Sequence, residues 1–110
     1  MDLINKKCVP CEGGVPPFTR EQIETYKKEV SGEWQILDGK KIERKFKFKD
    51  FKESMEFVNK VAEIAEQEQH HPDIKIFYSL VTITLWTHAI AGLSENDFIM
   101  AAKIDRIKTS

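Results

Sequence analysis

Apolar residues recur along this chain with two periods, and each change of period marks a new element. In FTREQIETYKKEV, Ile23, Tyr26 and Val30 recur at helical spacing and predict a single apolar stripe. Thr19 and Gln22 stand as a capping box at its start, with Phe18 and Ile23 placed as a hydrophobic staple. From Trp34 the period shortens to two in WQILDGKKIERKFKF, where Asp38-Gly39 marks a hairpin turn. A three-residue loop Leu37-Asp38-Gly39 puts Trp34, Ile36, Ile42, Phe46 and Phe48 on one face, whereas a two-residue Asp-Gly loop would split them. Glu43, Lys45 and Lys47 then face water. A second helix starts at Asp50 with Glu53 as its box partner and turns Phe51, Met55, Val58, Ala62 and Ala65 inward. It must end before Pro72, because a proline pushes the residue ahead of it out of the helical region. A third helix begins at Ser94, after Gly92, with Asp97 at the box position and Phe98, Ala101, Ala102 and Ile104 or Asp105 following.

Between the last two helices lies DIKIFYSLVTITLWT, rich in β-branched and aromatic residues. One unbroken strand from Ile74 to Thr87 would hold His70 and His88 roughly 50 Å apart. Strands average about 5 to 6 residues, so a reversal near Ser79 is expected, which sets position 70 opposite position 88. Alternation then places Val81, Ile83 and Leu85 under the helices and Thr82, Thr84, Trp86 and His88 on the open face. The reading is α-β-β-α-β-β-α, an α+β fold.

That reversal gathers His70, His71 and His88, every histidine in the chain, at one end of a hairpin. Three imidazoles gathered in one place mark a candidate site, and imidazole, with an ordinary pKa near 6.5, can give or take a proton at neutral pH. At 110 residues and 12.8 kDa the chain holds one core, a single domain over 1–110 with 1–18 as a lead-in. A net charge of −1 supplies no pull toward nucleic acid or a membrane surface. With no signal peptide at MDLINKK and no apolar run near the roughly 20 residues that cross a bilayer, a cytoplasmic protein is expected. Cys8 and Cys11 form CVPC, but no second pair completes a zinc set, and the following EGGVPPFT is a loop rather than a βαβ unit. Reduced thiols and no metal are expected there.

An acidic residue separated by three residues from His-His-Pro, an aromatic six residues after that Pro, a His ten beyond it and an Asp nine further on resembles the signature of the pterin-4a-carbinolamine dehydratase family. Here it reads Glu66, His70, His71, Pro72, Tyr78, His88 and Asp97, and both THAIAGLSEND and the lead-in KKCVPCEGGVPP are similar to family segments. Ile74 departs from the pattern, since many relatives carry Trp there. The resemblance implies a four-stranded antiparallel sheet with three helices on one face. It implies dehydration of a 4a-hydroxytetrahydropterin, formed by aromatic amino acid hydroxylases, to the quinonoid dihydropterin, with no cofactor. It assigns His70 and His88 to acid-base work, Glu66 and Asp97 to carboxylates that support an imidazole, and His71 to pterin binding, with Pro72 and Trp86 as further binding candidates. A homodimer or homotetramer is implied as well. Some relatives act as dimerization partners of a transcription factor, so a non-catalytic coactivator module is the alternative; a mononuclear His-metal site lacks a carboxylate ligand.

Overall fold

A computed structural model of the chain describes residues 1–10 and 13–107. Cys11 lies outside them, so the reading of CVPC is described at Cys8 alone. Helix α1 spans Arg20–Lys27, and its predicted box is formed: Thr19 Oγ1 accepts from Gln22 N while Gln22 Oε1 accepts from Thr19 N at 2.8 Å. Strands β1, Gln35–Leu37, and β2, Lys41–Lys47, make the first hairpin. Helix α2 runs over Phe51–Glu68, strands β3 and β4 over Asp73–Phe77 and Leu80–Leu85, and helix α3 over Glu95–Asp105. Short 3-10 turns sit at Leu3–Asn5 and His88–Ile90.

The sheet is antiparallel in the order β1-β2-β4-β3, and the helices cover one face of it. Ile42, Phe46, Val81, Ile83 and Leu85 point into the core with Phe57, Val61 and Phe98, which matches the predicted alternation. The first hairpin pairs Ile36 with Ile42 and Leu37 with Lys41. Its three-residue loop is therefore Asp38-Gly39-Lys40, one position later than predicted. Face parity is the same for both loops, so the apolar set survives the shift. Asp38 and Gly39 both take positive φ, the conformation that their residue types tolerate.

Helix α2 corrects the sequence reading. Its buried stripe is Ser54, Phe57, Val61, Ala65 and Glu68, while Phe51 and Ala62 are exposed. At 100° per residue the buried face is turned by roughly 80° from the predicted one. Two polar residues hide the true stripe: Ser54 Oγ donates to Asp50 O at 3.2 Å, and Glu68 is drawn inward by partners described below. The helix closes at Glu68, four residues before Pro72, with Gln69 in the left-handed region at φ 54° and His70 N donating back to Ala65 O at 3.2 Å. This is a Schellman-type end without glycine.

The second reversal is a tight one, with Phe77 opposite Leu80 and Tyr78 at φ 48°. Asp73 pairs with Thr84, so extending the register by three residues sets position 70 opposite 87, not 88. Strand β4 ends at Leu85, and His88 lies on a loop that Thr87 and Gly92 close: Thr87 N donates to Gly92 O at 2.8 Å. A side chain at Gly92 has no room, since a Cβ there would stand 2.6 Å from Pro17 Cβ. Gly92→Ala is expected to destabilise the protein by about 1–3 kcal/mol, as overpacking does, with urea unfolding as the measurement.

Candidate active site

A cleft of about 270 Å³ opens where the end of α2, the end of β4 and the start of α3 meet, and His70, His71 and His88 all line it. The Schellman end of α2 turns the chain so that both adjacent histidines reach it. His70 is the anchored member. Its Nε2 lies 2.7 Å from Asp97 Oδ1, and Asp97 is fully buried. The other carboxylate oxygen accepts from Thr87 Oγ1 at 2.8 Å and from Ser94 N at 3.0 Å, so the box residue of α3 also orients an imidazole. A carboxylate only accepts, so Nε2 carries the proton, and a neutral His70 keeps its lone pair on Nδ1.

His88 is held differently. Its ring stacks on Trp86 at 4.0 Å between centroids, and Trp86 in turn carries Lys41 Nζ over its face at 4.4 Å and donates from Nε1 to Asp73 Oδ2 at 3.2 Å. Lys41 and Asp73 belong to the strand faces turned away from the helices, so Trp86 occupies the open side, as predicted. It lines the cleft and serves as the platform of His88. His71 meets Glu66 through Nε2 and Oε2, but both side chains are more than half exposed, and such a pair is worth little. Glu66 thus accompanies the predicted binding histidine and stands apart from the His70–Asp97 pair. Pro72 is half-buried and is not among the cleft-lining residues; Tyr78 is exposed at the far turn.

Three groups lay beyond the sequence reading. Thr87 joins the Ser94–Asp97 box that the sequence marks, and its Oγ1 lies 2.8 Å from Ser94 Oγ. Glu68, nearly buried, accepts from Lys103 Nζ at 2.6 Å and Cys8 N at 2.8 Å. Burial pushes the Glu68 carboxyl up, but the Lys103 ammonium and the Cys8 N–H outweigh it and hold the group below the usual carboxylate range. Beside it, burial and the Glu68 charge raise the Cys8 thiol to about 12, so it stays protonated and unreactive. The third group, Val9, Pro10 and Asn96, lines the cleft. Among the described residues no cluster of three or more His, Cys, Asp or Glu is arranged to hold a metal, and no helix is long and apolar enough to cross a membrane.

The fold and cleft define a small α+β protein whose three histidines line one cleft, one of them backed by a buried carboxylate. Residues 16–107 match the family model described as pterin 4 alpha carbinolamine dehydratase. Proteins from Nitrosomonas eutropha, 49% identical over 99% of this chain and 96% of that one, and Rickettsia bellii, 47% identical over 96% and 94%, both bear the name "Putative pterin-4-alpha-carbinolamine dehydratase". A transcriptional coactivator/pterin dehydratase from Brucella melitensis superposes with a TM-score of 0.74 at 36% identity, covering 80% of this chain and 94% of that one. A pterin dehydratase-like RuBisCO assembly factor of the α-carboxysome, 23% identical with a TM-score of 0.54 over 66% of this chain and 82% of that one, shares the fold. The chain belongs to the pterin-4a-carbinolamine dehydratase family.

Proposed function

We propose that the protein is a hydro-lyase that dehydrates a 4a-hydroxytetrahydropterin to the quinonoid dihydropterin. The observation that carries this is the shared cleft of His70 and His88, with His70 held by buried Asp97 in the tautomer that leaves Nδ1 free. The reaction suits that equipment. The N5 lone pair forms the new C4a=N5 bond as the C4a–O bond breaks, an acid protonates the departing hydroxyl to water, and a base takes the N5 proton. Two imidazoles supply both transfers, and their roles exchange with protonation state. The substrate is the product of aromatic amino acid hydroxylases, and the reading places the protein in cytoplasmic pterin recycling. Assay with a synthetic 4a-hydroxytetrahydropterin tests it: accelerated loss of the 4a-adduct is expected, and a rate equal to the buffer rate leaves the coactivator-module reading, which the Brucella relative's description motivates.

The same reading includes self-association. Edge strand β3 ends in exposed Phe77, with Ile76 in the strand and Tyr78 in the turn after it also exposed. An edge with apolar side chains favours pairing with another copy. A homodimer or homotetramer is expected in sedimentation at micromolar concentration; a clean monomer would count against it.

A further inference from the structure

Cys8, Val9 and Pro10 are remote in sequence from the histidines, yet Val9 and Pro10 line the same cleft. They are clamped there. Asn96 grips Val9 at both backbone groups: its Oδ1 accepts from Val9 N at 3.0 Å and its Nδ2 donates to Val9 O at 2.7 Å. The amide stands in for a neighbouring strand. One residue earlier, Cys8 N donates to Glu68, whose other oxygen Lys103 holds, and Cys8 Sγ donates to Asn96 O at 3.6 Å. Asn96 and Glu68 are both more than nine-tenths buried. Burying an amide and a carboxylate is unfavourable unless their hydrogen bonds are met, and here those bonds go to one short backbone stretch.

What the clamp achieves is placement. It fixes Val9, a residue 67% exposed, at the rim of a histidine cleft, followed by a proline of restricted φ. A rigid apolar surface of this kind loses little entropy on meeting a flat ring. Val9, Pro10 and Asn96 also border a second hollow of about 390 Å³ with Gly13, Val15 and Ser94, so the stretch divides two openings. Released from Asn96, it would no longer bound the histidine side.

We propose that Val9 and Pro10 form the apolar wall on which the pterin ring settles, and that Asn96 is the positioning residue that sets this wall in place. The proposal rests on the dehydratase reading. It assigns turnover to the histidines and affinity to the clamped stretch. The test compares the parent protein with Asn96→Ala, Asn96→Asp and Val9→Ser, using turnover of 4a-hydroxy-6-methyltetrahydropterin and the Kd of 7,8-dihydropterin read by tryptophan quenching. Asn96→Ala should raise KM and Kd by about fivefold or more, with kcat within about twofold and its pH profile unmoved. Asn96→Asp retains the acceptor for Val9 N but sets a second acceptor against Val9 O at a buried position, so it should raise KM and Kd as well. Val9→Ser changes an exposed side chain, leaves folding intact, and should raise KM and Kd by about twofold or more. Val9→Ser at parental KM and Kd overturns the proposal even where Asn96→Ala fails to fold, and so does any variant set that lowers kcat alone. A parent that neither binds nor dehydrates the pterins defeats the dehydratase reading and this proposal together, whereas an active parent with parent-like variants defeats the wall alone.

Discussion

Replacing both His70 and His88 with alanine should lower kcat for a 4a-hydroxytetrahydropterin by at least about two orders of magnitude, because one positioned acid-base group contributes about 10² to 10⁴-fold. Proton transfer is realised in the transition state, so KM should move far less. His88→Ala is the milder single change structurally, since its ring is exposed and stacked on Trp86, and surface replacements usually stay within about 0.5 kcal/mol of the parent. His70→Ala removes a hydrogen-bonding partner from buried Asp97 and should cost about 1–3 kcal/mol, so circular dichroism must show the double variant folded. His71→Ala, by contrast, should raise KM with kcat nearly kept, since His71 is read as a binding residue and its pair with Glu66 is exposed. A folded double variant that dehydrates the pterin at the parent rate would remove the histidines from catalysis.

The parts of this molecule that were legible in its sequence are those governed by short-range rules. The Thr19–Gln22 box and the start of α3 at Ser94 depend on residues three apart. Face parity in the first hairpin survived because its loop slid without changing length, and the alternation of β4 held by itself; the one-residue slip of the second register, by contrast, changes which β3 residues share a face with it, and sets Ile74 beside Ile83. Helix α2 was misphased because its buried face includes Ser54 and Glu68, polar residues whose partners lie on other parts of the chain or on the helix backbone. The histidine cluster followed from one hairpin, and the resemblance supplied their roles. Thr87, Glu68 and Asn96 were not legible: Asn96 meets Val9 across 87 positions and Glu68 meets Cys8 across 60, and such pairings leave no periodic trace. Glu66, which the motif spacing marks as a carboxylate beside an imidazole, meets His71, with both side chains more than half exposed.

Asp97 offers the sharpest separation of architecture from chemistry, because its two oxygens do different work. Asp97→Ala strips an acceptor from Thr87 Oγ1, Ser94 N and His70 Nε2 at a fully buried position, and should destabilise the protein by about 3 kcal/mol or more in urea unfolding. Asp97→Asn keeps the shape. Its amide oxygen can take the place of Oδ2 and accept from Thr87 and Ser94, which turns the NH₂ group toward His70. That group donates, so Nε2 must become the acceptor and the ring proton must move to Nδ1. The nitrogen that holds the lone pair in the parent then carries hydrogen, and an imidazolium at His70 loses its counter-charge. The amide variant should therefore remain folded, with less than half of the alanine variant's loss of stability, while kcat falls by at least about tenfold, toward the 10² of a missing acid-base group. Nitrogen NMR of the imidazole reads the change directly, as a proton on Nε2 in the parent and on Nδ1 in Asp97→Asn. A variant with the proton relocated and kcat at the parental value would show that His70 transfers no proton, and that Asp97 serves only to start α3.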